Sequence, residues 1–167
     1  MSIFTEAEAK AILDKVIALS GADECTAVLS GGDSGNIRFA LNNVSTSGIV
    51  DNVELAVSVA FGRRVGTATI NEFDDASLER VVRRAEDLAK LAPENPEFMP
   101  AIGKQSYVAT STHSAATAAI TPEYRAQVAA SSIAPCREAG LVAAGFLEDS
   151  RSFTAIANSN GNFGYQT

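Results

Sequence analysis

Arg38, Asn42 and Asn43, together with the Arg63-Arg64 pair, are the side chains whose types could hold another polypeptide. Arginine and asparagine supply the hydrogen bonds that a peptide main chain or a carboxylate needs. The same residues also suit a sheet face wetted by solvent, with Asn42-Asn43 as a strand-to-turn transition. Groups able to make or break bonds are scarcer. The chain has one histidine, His113, inside a Ser/Thr/Ala-rich run, and two cysteines, Cys25 and Cys136. No His-x-x-x-His, His-Glu-x-x-x-His or Cys-x-x-Cys pattern occurs, so converging metal ligands are not encoded at any familiar spacing. No Gly-x-Ser-x-Gly elbow occurs either, and a cysteine nucleophile would have only His113 as its base. The expectation is catalytic residues: none, and metal ligands: none. Gly31-Gly32-Asp33-Ser34-Gly35 invites comparison with a phosphate cradle, but it lacks the lysine and the following helix. Gly, Asp and Ser are ordinary turn residues, and this segment is expected to be a hairpin loop.

The elements that must position these residues follow from periodicity. Ile37, Phe39 and Leu41 alternate with polar positions, and Val53, Leu55, Val57, Val59 and Phe61 do the same. Such alternation predicts half-buried antiparallel strands with one face on a core. A further strand is expected at 24–30, and Gly62-Arg63 reads as a tight hairpin turn into a strand at 64–70. Before the meander, Thr5-Glu6-Ala7-Glu8 has the form of a capping box. It heads a helix whose Ala9, Ile12, Leu13, Val16 and Ile17 recur at helical spacing, with Gly21 as the stop. After the meander, Asp74 or Asp75 caps a second helix with a stripe of Leu78, Val81, Val82, Ala85, Leu88 and Ala89. Glu79 with Arg83 and Glu86 with Lys90 fall at i,i+4 and are expected on its wet side. The fold class is therefore α+β, an antiparallel strand meander covered by two helices in the order α-β-β-β-β-α.

Residues 1–92 are expected to form this unit, and the proline-rich stretch 93–103 an extended linker. Residues 104–167 read as the start of a second α/β unit, with a short strand around Tyr107. Thr121-Pro122-Glu123 starts a helix that faces Tyr124, Val128 and Ile133 inward, meets a kink or break at Pro135, and closes at Gly140. Two strands paired around Asp149-Ser150 come next, and Asn158-Ser159-Asn160-Gly161 is a turn signal. The sequence stops inside strand-like composition at Phe163-Gly164-Tyr165-Gln166-Thr167, so this second unit reads as truncated.

Bulk composition narrows the class of function. With 167 residues, 46% hydrophobic and 20% charged, the chain has the make-up of a globular protein. Its net charge of −7 argues against direct nucleic-acid binding, which needs a basic surface. Two distant cysteines make no disulfide framework and read as buried or half-buried free thiols in a reducing compartment. No apolar run long enough to span a membrane and no signal-peptide pattern is visible, so the expected location is cytoplasmic.

Several motifs fall in one order. Arg38-Phe39-Ala40-Leu41-Asn42-Asn43, Phe61-Gly62-Arg63-Arg64-Val65-Gly66-Thr67-Ala68, the helix from Asp74 to Ala92-Pro93, and Ala157-Asn158-Ser159-Asn160-Gly161 together resemble the N-terminal region of the TldD/PmbA family. The resemblance implies a family of cytoplasmic zinc metallopeptidases and non-catalytic partner subunits, also labelled modulators of DNA gyrase. It implies homo- or heterodimers that enclose a proteolytic cavity and accept extended or unfolded peptides. The family's His-Glu-x-x-x-His helix, with zinc on its histidines, has no counterpart in this sequence. No cofactor is therefore expected in this chain, zinc only in a full-length catalytic member, and proteolysis should be absent from the chain alone. The function implied is a non-catalytic region that shapes a peptide-binding cavity and pairs subunits. A free-standing, non-enzymatic interaction module is the alternative. Substrate or partner binding would fall to Arg38, Asn42, Asn43, Arg63 and Arg64, with no nucleic acid and no membrane involved.

Overall fold

The computed structural model describes residues 3–108, 110 and 112–167. The element order is α1 (Glu6–Leu19), β1 (Glu24–Ala40), β2 (Asn43–Phe61), β3 (Arg64–Ile70), α2 (Asp75–Leu91), α3 (Ala115–Ala118), α4 (Pro122–Glu138), β4 (Gly145–Asn158) and β5 (Phe163–Gln166). The strands make one five-stranded sheet in the order β3-β2-β1-β4-β5. The pairs β2–β3 and β4–β5 are antiparallel. The chain divides into two compact units, each discontinuous in sequence. The first comprises Met1–Gly31, Val53–Ser111 and Phe153–Thr167, the second Gly32–Asn52 and Thr112–Ser152. The stretch 93–103, expected as a linker, belongs to the first unit.

In the first unit the alternation of β2 does what its spacing predicts. Leu55, Val57 and Val59 are buried in one core with Cys25, Ala27 and Leu29 of β1 and Phe153, Ala155 and Ala157 of β4. Helices α1 and α2 add Leu13, Val16, Leu78, Val81, Val82 and Ala85 to that core. The Thr5 capping box is formed in both directions, the Thr5 hydroxyl accepting from the Glu8 N–H and the Glu8 carboxylate from the Thr5 N–H. Asp74 caps α2 by accepting from the Ser77 N–H at 3.1 Å. Phe61 faces Arg64 across the β2–β3 turn, and Gly62 there has φ +58°. Positive φ at the first central residue is where a hairpin turn calls for glycine. Gly66 has a different reason. A Cβ there would lie 2.2 Å from the Ala85 carbonyl oxygen, so its absence lets α2 settle on β3.

Two details of α2 differ from expectation. Leu88 is exposed. Glu86 lies on the buried side rather than the wet one, and it pairs with Arg83 at 2.8 Å while Lys90 reaches Asp87 at 3.6 Å.

The second unit departs further. The hairpin loop expected at 31–35 is continuous strand, so the strand expected at 24–30 and the one carrying Ile37 and Phe39 are parts of β1. The glycines are there for close approach rather than for turning. A Cβ on Gly32 would lie 2.2 Å from the Arg151 carbonyl oxygen, and one on Gly35 would lie 2.2 Å from the Arg125 guanidinium. Asp149-Ser150 likewise makes no turn, and β4 runs through it unbroken. Helix α4 buries Arg125, Ala129 and Ile133, a stripe at i, i+4 and i+8, and exposes Tyr124. It continues through Pro135 to Glu138, and Gly140 with φ +69° follows its end. Ala129 and Ile133 form a small core with Ile37, Phe39 and Ala143. Leu41, expected inward, is 75% exposed, because the strand ends at Ala40 and Leu41 with Asn42 forms the turn into β2. The described residues around Tyr107 form no strand, and Ala109 and Ser111 of that stretch lie outside them.

Candidate functional site

Of the five residues singled out by type, Arg38, Asn42 and Asn43 belong to the second unit and Arg63 and Arg64 to the first. Arg38 projects from β1, is exposed, and stacks over the Phe146 ring at 5.3 Å from its centroid. This cation–π contact leaves the guanidinium edge open to an acceptor. Asn42 is committed to the fold. Its Nδ2 donates to the Leu141 carbonyl at 2.9 Å and its Oδ1 accepts from the Ala143 N–H at 2.7 Å. Its backbone carbonyl accepts from Arg137 at 2.8 Å. Asn43 caps its own turn by donating to the Leu41 carbonyl at 2.9 Å. Arg63 and Arg64 are both exposed, and Arg64 donates to the Lys90 carbonyl at 3.4 Å.

The buried charges lie elsewhere. In the second unit the Arg125 side chain is 4% exposed and donates to Asp149 at 2.6 Å. Its guanidinium lies against the bare Cα of Gly35, and its Nε has no partner among the described residues. The exposed Arg151 donates through Nε to both carboxylate oxygens of Asp33, at 2.9 and 2.7 Å. In the first unit Glu86 accepts from the Gly21 N–H at 2.7 Å and from Arg83 at 2.8 Å. Burial alone would push the Glu86 carboxyl upward, but these two donors together with the charges of Arg83 and Lys90 outweigh it and hold it below the ordinary carboxylate range. Cys25 behaves as a core thiol: burial pushes its ionisation up, against a weaker opposing hydrogen bond from Ser20. His113 is exposed. Among the described residues no group of three or more His, Cys, Asp or Glu side chains is arranged to hold a metal ion.

A second polar cluster lies in the turn between β4 and β5. Asn162, 6% exposed, and Asn160 direct their amides at the main chain of residues 101–105. Sequence reasoning sees this stretch only as a turn, because asparagine before glycine has that meaning wherever it occurs. Arg125 is equally silent in sequence, since an arginine on a helix is ordinarily solvated. A stripe of Arg125, Ala129 and Ile133 at four-residue spacing is the one signal that could have found it.

Comparison with known proteins gives the arrangement its relatives. The family described as PmbA/TldA metallopeptidase domain 1 matches residues 25–89. No curated protein matches the sequence. The fold is similar to TldE from Thermococcus kodakarensis, with a TM-score of 0.82 and 16% identity over 94% of this chain and 36% of that one. It is similar to a protein described as a modulator of DNA gyrase from Bacteroides thetaiotaomicron VPI-5482, with a TM-score of 0.78 and 15% identity over 98% of this chain and 39% of that one. A protein of the same description from Thermotoga maritima MSB8 gives a TM-score of 0.78 and 13% identity, over 94% and 36% of the two chains. The chain thus spans little more than a third of the length of these solved structures. Identities this low speak for fold, and the family match speaks for the sequence of β1 to α2. The family match covers residues 25–89, and the likeness to the three solved structures is one of fold.

Proposed function

We propose that this chain is the non-catalytic N-terminal region of a TldD/PmbA-like metallopeptidase or of its partner subunit, shaping a peptide-binding cavity and pairing subunits. The observation that carries the reading is the family match over residues 25–89, joined to a fold similar to TldE. In this reading the chain alone cleaves nothing, and zinc belongs to a full-length catalytic member. Its partners are extended or unfolded peptides and a second family subunit, in the cytoplasm, without nucleic acid or membrane. Among the described residues no helix is long and apolar enough to cross a membrane. Arg38, Arg63 and Arg64 are the exposed donors for peptide carboxylates and carbonyls, whereas Asn42 and Asn43 set the turn beside Arg38.

The test is binding of fluorescein-labelled, carboxymethylated lactalbumin, an unfolded acidic polypeptide, followed by anisotropy. The chain should bind it, and the Arg38→Ala, Arg63→Ala, Arg64→Ala triple variant should bind it at least fivefold more weakly while melting like the parent. Binding that is absent, or indifferent to all three substitutions, defeats the reading.

A further inference from the structure

From Ala92 to Ser114 the described residues form neither helix nor strand. A connection that long without structure of its own is uncommon in a compact fold. What fixes it is a set of side chains aimed at its backbone. Glu24 accepts from the Ala101 N–H at 2.8 Å. Asn160 donates to the carbonyls of Ala101 and Ile102, both at 3.0 Å. Asn162 donates to the carbonyls of Ile102 at 3.2 Å and Gly103 at 3.1 Å, and accepts from the Gln105 N–H at 2.6 Å. Five main-chain groups within five residues are therefore taken by three side chains.

The clamp is built rather than incidental. Asn158 Oδ1 accepts from the N–H groups of both Asn160 and Asn162, at 3.1 and 3.2 Å, and Gly161 closes the turn with φ +79°. Ser159 fastens the turn to β1, donating from its N–H to the Cys25 carbonyl at 2.8 Å and accepting on Oγ from the Cys25 N–H at 3.2 Å. The side chains of the held segment take little part. Ile102 is 61% exposed, and Lys104 and Gln105 are exposed as well. Open hollows flank the segment. One of about 220 Å³ is lined by Thr26, Tyr107 and Ile156, and one of about 190 Å³ by Ser58, Val65 and Met99.

We propose that Glu24, Asn160 and Asn162 form a binding site for an extended peptide main chain, which residues 101–105 occupy in cis. Recognition through carbonyl and N–H groups, with side chains turned outward, is indifferent to sequence. Any extended segment with the same donor and acceptor spacing fits the site. The resident segment wins because its tether gives it an effective concentration of about millimolar order, without the loss of free translation that a separate peptide incurs. The site lies wholly in the first unit and does not involve Arg38, Arg63 or Arg64, so it stands or falls apart from the function proposed above.

The test uses fluorescein-labelled acetyl-Ala-Ile-Gly-Lys-Gln-amide and the full chain. Ala101→Pro with Gln105→Pro removes two of the five groups and releases the segment. The released chain should bind the peptide at least tenfold more tightly than the parent, and adding Asn160→Ala with Asn162→Ala should abolish binding. The scrambled acetyl-Gly-Lys-Ala-Gln-Ile-amide should bind equally well, and acetyl-Pro-Ile-Gly-Lys-Pro-amide should not bind. Failure of the released, cooperatively melting chain to bind overturns the proposal. So does binding that survives loss of both asparagines, or that distinguishes the scrambled peptide. Should the released chain not fold, hydrogen exchange in the parent decides. Ten millimolar unlabelled peptide should speed exchange of the Ala101 and Gln105 amides several-fold, and no change overturns the site.

Discussion

The two units solve the same problem with different materials. The first buries a broad apolar core under two amphipathic helices, and its buried carboxylate Glu86 is answered by a backbone N–H as well as by Arg83. The second has a small apolar centre of Ile37, Phe39, Ala129, Ile133 and Ala143, with Cys136 and Leu147 packed against it, and it places the Arg125–Asp149 pair beside glycine backbone. Apolar burial is non-directional and tolerates small errors in placement, whereas a buried ion pair holds only while both partners are in place. The first unit should therefore resist polar substitution poorly and charge removal well, and the second the reverse.

The largest effect is expected from Val57→Asp. Val57 is fully buried in the first unit, and an unpartnered carboxylate there costs several kcal/mol, roughly 4 or more. The same change at Val44, on the same strand but in the second unit and 52% exposed, should move stability by no more than about 0.5 kcal/mol. Urea unfolding monitored by circular dichroism reads both. A Val57→Asp chain that still unfolds cooperatively near the parent midpoint would mean that β2 does not carry the core.

The next effect belongs to the second unit. Arg125→Met leaves Asp149 without its partner at a half-buried position, and about 3 kcal/mol of stability should be lost. Arg125→Met combined with Asp149→Leu removes both charges and should recover most of it. Arg83→Met in the first unit should cost much less, because Arg83 is half exposed and Glu86 keeps the Gly21 N–H. Equal losses for Arg125→Met and Arg83→Met would erase the contrast between the units.

That contrast also explains what could be read from sequence. Thr5 and Glu8 are three residues apart, and the stripe of α2 repeats every three or four, so their partners lie within one helical turn. The Gly62 turn is equally local. In the second unit the explanatory partner is remote. Gly35 is bare because of Arg125, and Gly32 because of Arg151 and Ser152. Lacking those partners, Gly31-Gly32-Asp33-Ser34-Gly35 carries only its local meaning, which is a turn. Of the proposed site residues, the positions of Arg38 and Arg63 on or beside strands were legible. The Asn160 and Asn162 contacts were not, because their partners at 101–105 lie more than fifty residues away. The alternation of Ile37 and Phe39 carries on in pattern to Leu41, and nothing in a period of two marks where the strand stops.

Leu41 provides the smallest and most exacting test, because the two hairpin turns differ at this point. The first unit places Gly62 at its positive φ of +58°, whereas the second places Leu41 at +50° and Asn42 at +60°. Asparagine tolerates that region, and its side chain is tied to Leu141 and Ala143. Leucine does not, and its 75% exposure means that little packing offsets the strain. Leu41→Gly should therefore stabilise the chain by up to about 1 kcal/mol, the left-handed penalty less the extra freedom glycine gives the unfolded state. Ala40→Gly, one residue earlier in extended backbone, should destabilise by about 0.5 to 1 kcal/mol. The opposite signs, read as shifts of the urea midpoint at constant slope, isolate the backbone conformation from the loss of side chain. If both substitutions destabilise alike, Leu41 is not strained. The turn would then be held by its asparagine alone, and the second unit would resemble the first more closely than its glycines and charges imply.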